Sequence, residues 1–278
     1  MKRVARIAPL LSLCILLLLA TISTNQIGFA QNKPGQKAPA AQAPAMPAPQ
    51  WLSVNVVRVK PDMLLEYQEF AKNETIPTLQ KGGVKSREAW TTANFGEAYE
   101  YFYVTPIENL SQYDSPGPVI KALGEDGARA YGAKARRFIE SSHTFAIQTR
   151  PDLSYAGKMG DAPKIAVVNW ISIAPGRSAD FENLIKSDVL PAVKKAGLQG
   201  YLVSQVMFGG DAYQYITLAL ADSFAEISKG SPVMRGMGQE AFNRFLPRVA
   251  GIILHQERAV VRFVPDLSFP APAKTEAR

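Results

Sequence analysis

Gly96-Glu97-Ala98-Tyr99-Glu100-Tyr101 returns 114 residues later as Gly210-Asp211-Ala212-Tyr213-Gln214-Tyr215. The same shift, without a gap, lays Val54-Asn55 on Val168-Asn169, Pro61 on Pro175, Lys72 on Lys186, Pro77 on Pro191 and Gly83 on Gly197. It also pairs Pro118-Val119 with Pro232-Val233, and it ends on an identical quartet, Pro151-Asp152-Leu153-Ser154 and Pro265-Asp266-Leu267-Ser268. One such match arises by chance, but a collinear series does not. Self-similarity at a fixed period marks a duplicated structural unit.

Each copy reads the same way from its local chemistry. Residues 52–59 and 165–173 are rich in β-branched side chains, which suit a strand. Pro61 and Pro175 follow, fit for the first turn of a helix, where the missing N–H has no partner to lose. Leu64, Tyr67, Phe70 and Ala71 recur at helical spacing, as do Phe181, Leu184 and Ile185. Pro77 and Pro191 are expected to break or kink that helix, and Gly83 and Gly197 to stop it. Two strands joined by Asn94-Phe95-Gly96 or Phe208-Gly209-Gly210 make a hairpin. A helical region over about 118–137 and 232–248, then a strand at 144–149 and 258–263, complete each unit. The order is βαββαβ, a ferredoxin-like unit in the α+β class.

One such sheet buries one face under its helices and leaves the other bare, so two units on one chain should cover each other. This gapless tandem resembles the dimeric α/β-barrel superfamily, including NIPSNAP-like and antibiotic-biosynthesis-monooxygenase-like proteins. The resemblance spans residues 51–269 and rests on element order and on the Pro77/Gly83 and Pro191/Gly197 pattern. It implies two ferredoxin-like βαββαβ repeats packed sheet to sheet as an intramolecular α/β barrel. A second chain is then not required to close the barrel, although an oligomer is compatible with it.

The barrel interior is the expected place for a ligand. On the third strands Phe102, Val104, Ile216, Leu218 and Leu220 alternate with Tyr99, Tyr101, Tyr103, Tyr213, Tyr215 and Thr217. The aliphatic side is expected to meet the helices and the tyrosine side to line the lumen. Tyrosine offers an apolar body with one hydroxyl to orient a ligand, and it also serves simply to fill a small barrel. Asn55 and Asn169 sit mid-strand among aliphatics, where a buried amide needs partners, whether other strands or a ligand. Trp170 stands where the first copy has Val56, and Trp90 where the second has Ser204, so the halves have diverged. The binding candidates are therefore Asn55, Tyr99, Tyr101, Asn169, Trp170, Tyr213 and Tyr215.

Outside the repeat, the sequence opens with Lys2, Arg3 and Arg6, an apolar run over 10–22 and a small-x-small exit at Gly28-Phe29-Ala30. That is the pattern of a secretory signal over 1–30, and export as a soluble periplasmic or secreted protein follows; an uncleaved anchor is the competing reading. Residues 31–50 form a Pro/Ala/Gln tether, 156–163 a linker between repeats (51–155 and 164–269), and 270–278 a short tail. Cys14 is the only cysteine and lies in the leader, so thiolate chemistry and Cys-ligated metals are excluded for the mature chain. The net charge of +7 includes three leader cations, leaving 28 basic against 24 acidic residues.

No basic stripe interleaved with aromatics marks a nucleic-acid surface. Gly209-Gly210 lies in a hairpin and does not open a helix, so no phosphate loop is present. His143 and His255 occupy non-equivalent positions and belong to no cluster of ligand spacing, so no metal and no cofactor is expected. Asp152 and Asp266 are expected to be turn formers that end each repeat. Three functions remain: binding of a small, partly apolar molecule in the barrel, a cofactor-independent monooxygenase-like enzyme, and a structural or interaction protein with a filled barrel.

Overall fold

The computed structural model describes residues 48–157 and 163–270; the leader, the tether, most of the linker and the tail lie outside the described residues. The first repeat runs β1 (Trp51–Val59), helix α1, β2 (Glu88–Thr92), β3 (Glu100–Ile107), α2 (Pro118–Phe138) and β4 (Ile139–Thr149). A two-residue strand, β5 (Tyr155–Ala156), leads to the second repeat: β6 (Ile165–Ile173), α3, β7 (Gly200–Phe208), β8 (Gln214–Ala221), α4 (Phe224–Ile227), α5 (Pro232–Met237), α6 (Gln239–Val249) and β9 (Ile253–Phe263).

Neither Pro77 nor Pro191 breaks its helix. Helix α1 continues from Leu64–Phe70 through a π-helical turn at Ala71–Thr75 into Ile76–Lys81. Helix α3 does the same through Ser178–Leu184, Ile185–Val189 and Leu190–Lys195. A proline ring collides with the carbonyl four residues back. Widening the turn before it removes that collision, and Ile76 and Leu190 accordingly donate to the carbonyls of Ala71 and Ile185, five residues back.

The second helical region contains a break that the repeat alignment holds but the helical pattern hides. Gly124 and Gly238 are equivalent, with φ of 70° and 85°. A side chain is strained in that left-handed region, so glycine marks the bend in each copy.

All strands are antiparallel, and eight of them close on themselves in the order β4-β1-β3-β2-β9-β6-β8-β7, with β7 returning to β4. The two repeats therefore meet edge to edge as well as face to face. Trp90 pairs with Phe263 across β2 and β9, and Ile147 pairs with Val206 across β4 and β7. Strands β4 and β9 begin earlier than their apolar residues suggest, because Glu140–Thr144 and Leu254–Arg258 pair on one edge only and face solvent.

The sides of the third strands are the reverse of the sequence expectation. Phe102, Val104, Ile216, Leu218 and Leu220 line the lumen with Val54, Ile147, Val168 and Val206. Tyr101 and Tyr103 face α1 in the first repeat, and Tyr215 faces α3 in the second. The reason is the supply of hydrogen-bond partners. Tyr67 on α1 meets the Tyr103 hydroxyl at 2.6 Å, Gln68 donates to Tyr101 at 2.8 Å, and Tyr215 donates to Glu182 on α3 at 2.8 Å. A lumen walled mostly by aliphatic and aromatic side chains offers few such partners, so the hydroxyls settle on the helix side. Tyr99 and Tyr213 sit at strand starts and are largely exposed.

Candidate functional site

Four neighbouring strands of the second repeat carry a row of polar side chains on the helix-facing side. Asn169 on β6 lies opposite Arg258 on β9 and Thr217 on β8. The Asn169 amide donates to Thr217 Oγ1 at 3.0 Å. Its Oδ1 accepts from Gln256 Nε2 at 3.0 Å and from Arg258 Nε at 2.7 Å. Tyr201 on β7 stands at the far end of the row beside Thr217, and burial pushes its phenol up. Asn169, Thr217 and Tyr201 are buried, whereas Gln256 and Arg258 reach outward. An amide mid-strand is thus satisfied by its neighbours, as a buried polar group must be.

Above this row lies a pocket of about 400 Å³. Its floor is the sheet, one wall is the turn after α3 (Ala196 to Gln199), and its roof is the segment from Ile227 to Val233 with Arg235. Apolar contacts come from Val167, Ile171, Ala219 and Val260, and Arg258, Arg235 and Lys229 bring positive charge against the single carboxylate of Glu226.

The first repeat holds an equivalent row, with a larger side chain in it. Asn55 donates to Ser142 and Thr144 at 3.0 and 2.8 Å. At the Thr217 position stands Tyr103, 2% exposed, with the Arg87 guanidinium 3.6 Å above its ring. Burial lowers the Arg87 pKa, and it raises the Tyr103 hydroxyl to about 12, which keeps that hydroxyl protonated. Between the copies a buried tyrosine stands against Thr217, and Arg87 stands against Tyr201.

The lumen is a second cavity, of about 150 Å³, walled by Leu52, Val54, Val104, Ile147, Val168, Leu218 and Leu220. Trp170, a sequence candidate, lies here and not with Asn169, its ring 5.9 Å from Phe102. Glu88 and Trp90 enter from β2, with the Trp90 indole donating to Glu88 Oε2 at 3.3 Å. Burial raises the Glu88 carboxyl.

The helix-capped, eight-stranded barrel is shared with solved structures of low sequence identity. An anthrone oxidase-like protein matches at a TM-score of 0.54 and 10% identity, over 77% of this chain and 91% of its own. A chlorite dismutase variant from Candidatus Nitrospira defluvii matches at 0.51 and 10%, over 78% and 92%. A proposed monooxygenase from Fusobacterium nucleatum matches at 0.50 and 14%, over 77% and 92%. The fold is a dimeric α/β barrel, closed within one chain. No protein-family model matches the sequence, and no curated protein does.

In this α/β barrel the sequence candidates divide. Asn169 stands in the open pocket, Asn55 at the equivalent place in the first repeat, Tyr101 and Tyr215 in the helix-side cores, and Tyr99 and Tyr213 at the barrel rim. Thr217 was read with the tyrosine side but not as a candidate, and Tyr201, Gln256 and Arg258 were not singled out by sequence. The signal was available in the repeat: Thr217 aligns with Tyr103 and Tyr201 with Arg87, each a large change of size or charge at a duplicated position. The two histidines, at non-equivalent positions in the repeats, both line one mouth of the barrel with Glu97, Glu100 and Glu257. His255 Nε2 lies 3.1 Å from Glu257 Oε1. Among the described residues no group of three or more His, Cys, Asp or Glu is arranged to hold a metal. None of the described helices is long and apolar enough to cross a membrane.

Proposed function

We propose that this barrel is a small-molecule binding protein whose site is the pocket over the second-repeat sheet. The observation that carries the reading is the contrast between Tyr103 and Thr217 at equivalent positions. A pocket of about 400 Å³ falls in the range of about 300–1,000 Å³ common to ligand sites, and it combines apolar walls with a few convergent polar groups. Arg258, Gln256, Arg235 and Tyr201 suit a ligand with a carbonyl, carboxylate or phenolic oxygen at one end and an apolar body at the other. The proposal keeps the small, partly apolar ligand expected from sequence and moves it from the lumen to the helix side. Export through the leader fits a binder of the cell envelope or its surroundings.

Native mass spectrometry of the protein from its own host tests this reading. The expected result is a retained small molecule that is absent from a Thr217→Tyr variant. Wild-type protein that carries nothing, and whose melt no oxygen-bearing aromatic compound shifts, would overturn it. A second reading is an oxidising enzyme on the same pocket. Its support is the names of the neighbours, an anthrone oxidase-like protein and a proposed monooxygenase, although one fold hosts many activities. Oxygen consumption that follows addition of the identified ligand would favour the enzyme over the binder.

A further inference from the structure

The lumen cavity of about 150 Å³ is space that eight strands of side chains have left open. An apolar void of about 150 Å³ stays dry and accepts one aromatic ring. Here the wall is mostly aliphatic and aromatic, with Gln50, Thr149, Ser154 and Ser204 as neutral polar members and Glu88 as the single charged lining residue. The Trp90 indole reaches Glu88 Oε2 over 3.3 Å, a long bond that satisfies little of the carboxylate. Two carboxylate oxygens offer about four lone-pair sites, and a carboxylate in an apolar wall favours a partner that donates. Leu202 holds the equivalent place in the second repeat, so the carboxylate belongs to one half only.

We propose that the lumen is a second binding site, separate from the second-repeat pocket, and that it takes a neutral single-ring phenol whose hydroxyl donates to Glu88. The ring matches the size and apolarity of the wall. An aromatic carboxylate would bring a like charge beside Glu88 with no cation lining the cavity to meet it. A protonated amine would have one acceptor and then aliphatic walls, which return little of the hydration it loses. A fused-ring compound exceeds the volume and belongs to the larger helix-side pocket.

The test uses the full mature chain with 4-fluorophenol, fluorobenzene and 4-fluorobenzoate, their affinities read by fluorine NMR titration. The expected order is fluorophenol, then fluorobenzene, with fluorobenzoate not binding in the lumen. Glu88→Leu, which installs the residue of the other repeat, should weaken fluorophenol about tenfold, one hydrogen bond's worth, and leave fluorobenzene unchanged. Ser204→Trp, which places in the second repeat the residue the first has at Trp90, should abolish both by filling the lumen. If that variant does not fold, Leu218→Phe fills the same space with a smaller change. Thr217→Tyr should leave fluorophenol binding intact, so this inference stands or falls apart from the proposed helix-side site. Absence of binding by both neutral probes would overturn the proposal. So would equal affinity in wild type and Glu88→Leu, or loss of fluorophenol in Thr217→Tyr but not in the filled-lumen variants.

Discussion

The Lys186 ammonium lies 2.9 Å from the Asp152 carboxylate, and Lys72 lies 2.9 Å from Asp266. Each pair joins the Pro-Asp-Leu-Ser end of one repeat to the π-helical turn of the other. These residues, identical between copies, are therefore partners. The motif brings more than its acid. Ser154 Oγ accepts from the Val203 amide on β7 at 2.9 Å, and Ser268 Oγ from the Ala89 amide on β2 at 2.9 Å. Leu153 is buried in the core of the second repeat and Leu267 in that of the first.

The two acids differ in setting, and their replacement should differ in cost. Asp266 is largely exposed with Lys72 as its ion-pair partner, so Asp266→Asn should change stability by less than about 1 kcal/mol. Asp152 is gripped by Arg150, at 2.9 Å from both Nε and Nη2, and more weakly by Lys186. That grip pulls its carboxyl down to about 2. A carboxyl depressed on folding stabilises the protein above its unfolded value of about 3.9 and loses that contribution as pH falls through the folded value. Asp152→Asn should cost about 1–2 kcal/mol at neutral pH, allowing for screening at a partly exposed group. Denaturant melts between pH 4 and 2 check this: the wild-type advantage over the variant should shrink across that window (the span between the two pKa values).

Because each leucine completes the opposite core, the halves should not behave as separate beads. Leu153→Ala, at a site with no exposure, should cost about 2–5 kcal/mol although the residue belongs to the first repeat by sequence. A chain cut between Gly157 and Pro163 should elute as one species, and residues 51–155 alone should dimerise or aggregate. A monomeric half with its own cooperative melt would contradict the closed barrel.

The tyrosines now test packing. Tyr215 donates to the charged Glu182, itself held below the usual carboxylate range chiefly by Arg150, so Tyr215→Phe should cost about 1.5–3 kcal/mol. Tyr101 accepts from the neutral Gln68, so Tyr101→Phe should cost about 0.5–1.5 kcal/mol. Ligand affinity should be unchanged in both. Paired chemical melts and binding titrations separate the effects, and a loss of affinity without a loss of stability would return these hydroxyls to the ligand.

Much of this was legible in the sequence. Gapless duplication fixed the element order, and the glycines and prolines marked turns and helix starts. At Pro77 and Pro191, where a break or kink was expected, a single widened turn absorbs the ring clash and the helix runs on, which no residue pattern announces. The sides of β3 and β8 were inverted for a more instructive reason. Hydropathy says that the aliphatic side is buried, but both sides are buried here. Which one meets the helices depends on partners such as Tyr67, Gln68 and Glu182, two elements away in sequence. Asn169 was found because an amide among aliphatics is conspicuous. Thr217 was missed because a threonine on a strand is ordinary until its duplicate, Tyr103, shows what could stand there.

That duplicate makes the sharpest prediction possible within one chain. Thr217→Tyr should carry the side chain of the first repeat into the second, its ring intruding on the part of the pocket directly above Asn169. Tyr201 stands where the first copy has Arg87, so the new ring lacks the cation that caps Tyr103, and the net stability change should stay within about 1.5 kcal/mol. Binding should be lost. The reverse exchange, Tyr103→Thr, empties a buried site and removes the hydroxyl that Tyr67 meets at 2.6 Å, so it should cost about 3–5 kcal/mol. It should also open a cavity beside Asn55, whose amide already faces Ser142 and Thr144 much as Asn169 faces its own row. Calorimetric melts of both variants, with and without the molecule that accompanies wild type, give four numbers. The helix-side pocket is the binding site if the ligand raises the melt of Tyr103→Thr as it raises that of wild type, and leaves Thr217→Tyr unmoved. A ligand shift that survives Thr217→Tyr would place the molecule elsewhere in the barrel.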